Sequence, residues 1–221
     1  MEHQPSLYFQ NIRIDEPVTV VTDLLVSAVC FYAFVQLSRT STVGRTHLFF
    51  RYYFLLMGVA TFLGGIIGHG FLYALSFGWK LPGWIISMIS VTLIERSAIE
   101  YARPFVKESI VKIFLVVNVL ELVLVMSITM YTLNFKWVEF HSGYGLLAIV
   151  LPFHAYCFYR TRDQASLIIM LSVAIASLAA LVYMLKISFH MWFNYLDISH
   201  VVMAIGAYFF YRGAKQLDSS G

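Results

Sequence analysis

Charge is what this chain has least of. Only 12% of its 221 residues are Asp, Glu, Lys or Arg, while 60% are hydrophobic; a soluble domain normally carries about 25% charged residues. That shortfall excludes an ordinary water-soluble globule. Basic clusters are also missing, since the 15 Lys and Arg residues are scattered along the sequence, which excludes a nucleic-acid partner. There are two cysteines, Cys30 and Cys157, and no CxxC pair, so neither a disulfide framework nor a thiolate zinc motif can be built. Both fall in apolar stretches and read as buried structural thiols. Polar residues never alternate with apolar ones at period two, which excludes a membrane barrel. No linker, low-complexity tract or soluble domain interrupts the chain.

In place of these, apolar runs of about 20 residues recur, the length a helix needs to cross a hydrocarbon core of roughly 30 Å. A chain in lipid must satisfy its backbone internally, so these runs are helices. Seven spans are predicted, at 18–37, 48–77, 82–101, 109–133, 137–159, 165–185 and 188–211. The expected fold is an all-α, seven-transmembrane-helix bundle: a short polar outer tail at 1–17, one membrane domain at 18–214 and a short cytoplasmic tail at 215–221. The first 16 residues are polar and mixed in charge, unlike a cleavable signal peptide, so the first span is expected to insert as an uncleaved anchor.

Orientation follows from the cations. One set of connections carries Arg39, Arg45, Arg51, Arg103, Lys107, Lys112, Arg160, Arg162, Arg212 and Lys215; the opposite set carries Arg13, Lys80, Lys136 and Lys186. The richer side is cytoplasmic, which places the N-terminus outside and the C-terminus inside, in the cell membrane.

Ionisable residues within spans cost roughly 2.5–3.5 kcal/mol at the helix centre and are functional candidates by default. Sorted by depth, they form two layers. The outer layer holds Asp23, His69, His141, His190, Asn194, Asp197 and His200; at about 100° per residue, His190, Asn194 and Asp197 share a helix face. Imidazoles and carboxylates are zinc-type ligands, and a catalytic zinc uses three protein ligands and a water. His69, Asp197 and His200 are the metal candidates, with Asp23 and His190 as catalytic or orienting groups. His69 lies in Gly64-Gly65-Ile66-Ile67-Gly68-His69-Gly70, where glycines admit a neighbouring helix. The inner layer holds Glu95, Arg96, Glu100, Asn118, Glu121 and His154. Glu121 needs a proton or a partner such as Arg96 or His154, and Pro152 is positioned to kink the fifth helix. Either layer also reads as an internal polar network that fixes helix pairing. His3 and His47 are assigned to a tail and a loop.

Two familiar seven-helix activities are excluded. The last span has no lysine for a retinal Schiff base, because Lys186 precedes it and Lys215 follows it; the Asp-Arg-Tyr and Asn-Pro-x-x-Tyr signatures of G-protein-coupled receptors are absent.

The segments Gly64-Gly65-x-x-Gly68-His69-Gly70-Phe71 and Phe193-Asn194-Tyr195-Leu196-Asp197-Ile198-Ser199-His200, set in seven spans, resemble the superfamily of alkaline ceramidases and progestin/adipoQ-type receptors. They also look like uncharacterised bacterial seven-helix proteins. The resemblance implies a zinc ion held by histidines of the second and seventh spans, and hydrolysis of a lipid amide. His69 and His200 match two of that family's three ligands. The third falls at Leu196, so Asp197 or His190 would take its place, and the family's serine falls at Gly65.

The expected function is therefore a membrane-embedded, metal-dependent hydrolase acting on a lipid or other amphiphile near the outer leaflet, with zinc as cofactor and membrane lipids as partners. The alternative is a non-catalytic sensor, ligand-binding protein or proton or small-solute transporter that uses the intramembrane polar residues. Orientation is checked by fusion at the C-terminus: a fluorescent protein there should be fluorescent and an alkaline phosphatase inactive, and the opposite pair of results would reverse the topology.

Overall fold

A computed structural model describes residues 4–40 and 44–217; residues 1–3, with His3, and residues 41–43 and 218–221 lie outside it. The architecture is all-α apart from one small hairpin. The antiparallel strands β1 (Leu7–Phe9) and β2 (Ile12–Ile14) form the hairpin. The segment expected to be a simple polar tail is thus folded onto the helices, with the Asp15 amide donating to the Gly70 carbonyl at 3.0 Å.

Among the described residues, eight α-helices follow. α1 (Pro17–Ser38) begins with proline in its first turn, where the missing N–H costs nothing. α2 (Arg45–Leu63) runs on as a π-helix, Gly64–Gly70. Short 3₁₀ turns, Leu72–Ala74 and Phe77–Lys80, lead into α3 (Leu81–Ala102), and another at Arg103–Phe105 leads out of it. α4 (Glu108–Thr132) has an acidic first turn, which suits the positive end of the helix dipole. α5 (Lys136–Tyr144), a π-helix Gly145–Val150 and α6 (Leu151–Thr161) form one continuous run. Pro152, expected to kink this run, stands in the first turn of α6 directly after the π turn; proline lacks a donor for the helical ladder, and the wider π turn before it accommodates that loss. α7 (Gln164–Met184) is capped by Asp163, whose carboxylate accepts from the Ser166 amide. α8 (Tyr195–Gln216) starts at a capping box built by Asn194 and Asp197.

Five helical runs are long and apolar enough to cross a membrane: Pro17–Ser38, Arg45–Gly70, Phe77–Phe105, Glu108–Thr132 and Gln164–Met184. The outward face of α4 is apolar and bare, with Ile113, Leu120 and Leu124 60%, 64% and 62% exposed, as lipid contact requires.

Two corrections to the expected boundaries matter. His47 is in α2, not in a loop, and its Nε2 lies 2.8 Å from the Leu217 carbonyl, tying the end of the chain to the bundle. The last helix begins at Tyr195 rather than Ser188, so His190 does not share a helical face with Asn194 and Asp197. Residues 188–193 instead make a turn closed by the His190–Phe193 bridge.

Small residues set the helix spacing, because without a hydrophobic drive in lipid the backbones must approach closely to gain packing. α8 meets α7 where a Cβ on Gly213 would stand 2.6 Å from Ile169 Cγ1. α1 meets the first π-helix where a Cβ on Gly65 would stand 2.9 Å from Asp23 Cβ and 3.2 Å from the Val20 carbonyl oxygen. Gly68, one turn on, has nothing within 4 Å of that position. Gly65→Ala should therefore cost about 1–3 kcal/mol of stability by overpacking, whereas Gly68→Ala should cost nothing. Unfolding of both variants in the same detergent compares them directly.

Candidate functional site

A buried ionisable group in an apolar bundle has to reach a partner on another helix, and the ionisable groups here sort into three clusters by doing so. The outer cluster begins on α1. Glu16, Thr19 and Asp23 recur at helical spacing and, with Thr22, form a polar stripe facing inward; Thr19, Thr22 and Asp23 are buried. Glu16, the N-cap of α1, is held at φ 43°, a left-handed conformation that costs a non-glycine residue energy and concentrates at functional sites. The π-helix brings His69 to this stripe and α8 brings His200.

Both rings are oriented by their Nδ1 atoms. His69 Nδ1 pairs with Glu16 Oε2 at 2.5 Å, and His200 Nδ1 lies 3.1 Å from Thr22 Oγ1. Both Nε2 atoms then face the same carboxylate: His69 Nε2 is 3.8 Å from Asp23 Oδ2 and His200 Nε2 is 3.5 Å from Asp23 Oδ1. The ring centroids are 6.1 Å apart, with Asp23 bridging between them. Lys80 stands within electrostatic range of Glu16 and Asp23. The His69 and His200 side chains keep 18% and 12% exposure, so each ring is only partly buried.

Asp197 is beside this group but engaged elsewhere. Oδ2 accepts from Gln4 Nε2 at 2.6 Å and from the Asn194 amide at 2.7 Å, and Oδ1 accepts from Thr19 Oγ1 at 2.9 Å. It ties the N-terminal segment, α1 and the start of α8 into one unit. Asn194 in turn accepts from the Leu196 amide at 2.8 Å. His190 is exposed, and its Nδ1 accepts from the Trp192 amide at 3.2 Å within its own turn.

The second cluster lies between α3, α4 and α5. His141 was expected in the outer layer and Glu95 and Glu121 in the inner one; the helices bring them together. Glu121, expected to pair with Arg96 or His154, has its Oε2 2.7 Å from His141 Nδ1, and His141 Nε2 donates to the Met88 carbonyl at 2.9 Å. Asn118 Nδ2 donates to Glu95 Oε2 at 2.9 Å, while Arg96 Nε donates to Asn118 Oδ1 at 2.8 Å. Among the described residues, Glu95, Glu121 and His141 are the one trio of His, Cys, Asp or Glu whose ligand atoms all lie within 4.8 Å of one another.

The third cluster is at the opposite end of the bundle. His154 is buried, stacks on Tyr101 with centroids 5.5 Å apart, and its Nδ1 lies 3.1 Å from Ser166 Oγ. Nearby, partial burial pushes the Asp163 carboxyl up, but hydrogen bonds from the Ser166 amide and the Thr161 hydroxyl more than reverse this and hold it below the usual carboxylate range. Arg103 forms a surface bridge to Glu100 and Glu108.

Glu16, Thr22, Thr19 and Gln4 were not among the sequence candidates. The signal for three of them was the polar stripe at 16, 19, 22 and 23, readable as one face of an otherwise apolar helix; Gln4 carried none.

The profile of a family of unknown function (DUF6962) matches residues 18–219. No curated protein and no solved structure matches the chain.

The bonding of Asp197 makes it a cap and strut. Asp197→Ala removes the capping box, worth about 0.5–2 kcal/mol, and strands the buried Thr19 and Gln4 donors at about 1–3 kcal/mol each. Its midpoint of unfolding should drop well below that of Asn194→Ala, which loses the cap alone; equal midpoints would show that the Gln4 and Thr19 bonds contribute nothing.

Proposed function

The chain belongs to the DUF6962 family, whose function is unknown, and from its own chemistry we propose that it is a membrane-embedded, metal-dependent hydrolase acting on a lipid or other amphiphile. In this reading α5–π–α6 and α8 join the five apolar runs to make seven spans, in the cell membrane, with the N-terminus outside and the C-terminus cytoplasmic. The excess of Arg and Lys on one set of connections supports that orientation. In the same reading the site lies toward the outer end, near the point where the Asp15 amide donates to the Gly70 carbonyl.

One observation carries the proposal: two imidazoles from different helices have their Nδ1 atoms engaged by Glu16 and Thr22 and their Nε2 atoms turned toward one buried carboxylate. Ligating histidines are typically held this way, with the second ring nitrogen bonded to a carboxylate or other polar group that fixes tautomer and orientation. His200 Nε2 and His69 Nε2 lie 3.5 and 3.8 Å from different oxygens of Asp23, whereas atoms bound at about 2.0–2.1 Å around a tetrahedral zinc stand roughly 3.3 Å apart, so the rings draw inward around Asp23 when the three share an ion. His69, His200 and Asp23 are thus the proposed ligands, with Asp23 in the place first considered for Asp197, whose oxygens already accept three hydrogen bonds.

A zinc ion held there would supply a water acidified to a pKa of about 7 and would polarise a scissile carbonyl. The protein residues do the rest. Glu16 holds the His69 ring and adds electron density to it, Thr22 sets the His200 ring, and Lys80 adds positive charge beside the carboxylates. Partial exposure of both histidines leaves an open position for substrate, as a catalytic site needs and a closed structural site does not.

His200→Ala and Asp23→Asn should each remove one equivalent of zinc from the purified protein. Each should also lower hydrolysis of ester- or amide-linked amphiphiles by roughly 100-fold or more, as loss of metal-site groups does. Metal analysis paired with an assay against a panel of acyl lipids measures both. Unchanged zinc in both variants, or no turnover of any lipid by zinc-loaded wild type, would sink the proposal.

A further inference from the structure

The cluster between α3, α4 and α5 has an arrangement that the outer site does not explain. The Met88 carbonyl can only accept, so the Nε2 of His141 carries the ring proton, and in the neutral ring Nδ1 is a lone pair. That lone pair faces Glu121 Oε2 at 2.7 Å, and two lone pairs at this distance need a cation between them. Two further buried oxygens, Glu95 Oε1 and Glu121 Oε1, have no hydrogen-bond partner. Glu95 and His141 are 0% exposed. A proton shared by His141 and Glu121 would quiet one contact and leave both oxygens bare, a costly state for buried acceptors. A single divalent ion meets all three residues at once.

We propose that Glu95, Glu121 and His141, one from each of three helices, form a second and closed binding site for a divalent transition-metal ion. The donor set, two carboxylates and one imidazole, is of the kind that zinc, manganese and iron accept, and facing helices of bundles hold metals with such residues. The supporting bonds are already in place. Nε2–H on the Met88 carbonyl fixes the tautomer of His141, and Asn118, itself held by Arg96, fixes Glu95 through its other oxygen. The two carboxylate charges offset the ion, and Arg96 is directed away from it onto Asn118 and the Leu115 carbonyl.

The π-helix makes room for this. A Cβ on Gly145 would stand 2.5 Å from Glu95 Oε1 and 2.7 Å from Val91 Cγ1. Oε1 therefore points at the helical run that carries His141 one turn earlier. An ion with bonds of about 2.0–2.1 Å opens the His141–Glu121 pair to roughly 3.3 Å, a motion available to Glu121, the ligand whose side chain keeps 12% exposure. Glu95 and His141 are fully buried, so the site serves structure or regulation, not turnover.

The experiment uses full-length protein in detergent, stripped with chelator and titrated with Co(II) or Zn(II). An Asp23→Asn/His200→Ala double variant removes the outer site, so the two proposals fail separately. That variant should take up one equivalent, with Co(II) visible bands of mixed nitrogen and oxygen ligation and a metal-dependent rise of several degrees in Tm. Adding Glu95→Gln, nearly isosteric, should abolish the equivalent and the Tm rise, and Asn118→Ala should weaken binding about 10–100-fold. If the double variant binds no metal while remaining folded, or if Glu95→Gln binds it unchanged, the cluster holds only a proton and the inference is overturned. Should Glu95→Gln fail to fold, uptake by the double variant alone decides.

Discussion

Asp23 sets the terms for one end of this protein. A carboxylate in the second turn of an apolar helix, 5% exposed, cannot be left to itself: in low dielectric its charge is costly unless partners surround it. Its neighbours follow from that need. Gly64 and Gly65 leave space for it, the π turn carries His69 to one side, and α8 is locked by its capping box so that His200 stands on the other. The hairpin is drawn in too, through Asp15 to Gly70 and Gln4 to Asp197. The same groups that satisfy the charge give the site two nitrogen donors and a shared carboxylate.

Two π-helical segments occur, and each borders a polar cluster. One carries His69 opposite Asp23; the other packs Gly145 onto Glu95. A π turn inserts a residue into the helical ladder and rotates everything beyond it, a cost that proteins bear mostly at functional sites. Glycine at the contact lets a side chain from the next helix approach the exposed backbone. The repetition gives the two clusters a common construction and different settings: both histidines of the Asp23 cluster keep some exposure, while Glu95 and His141 of the other are fully buried. In metal chemistry these settings separate turnover from structure.

Asp197 and Asn194 illustrate how local and tertiary demands compete for one residue. By composition Asp197 is as good a ligand as Asp23. Its position three residues after an N-cap asparagine commits one oxygen to the helix terminus, and Gln4 and Thr19 take up what remains. His190, four residues ahead of the cap, drops out of the helix altogether and serves its own turn.

Apolar runs of helical length, scarce charge and punctuation by Pro and Gly settled the class of structure before any coordinates: hydrocarbon forces backbone groups to bond within a segment, so run length translates directly into helices. His69, His200 and Asp23 were legible for the same reason, as charges too costly to be incidental in such a run. Partnership was not legible. Depth along the sequence separated His141 from Glu121 and Glu95, yet helix packing joined them, because the rotation of each helix about its axis, reset twice by π turns, decides which side chains meet. The hairpin, the start of α8 at Tyr195 and the role of Asp197 likewise depended on hydrogen bonds between segments up to 193 residues apart. Run length is a property of one segment, and a site is a property of several, so only the folded bundle could decide the second.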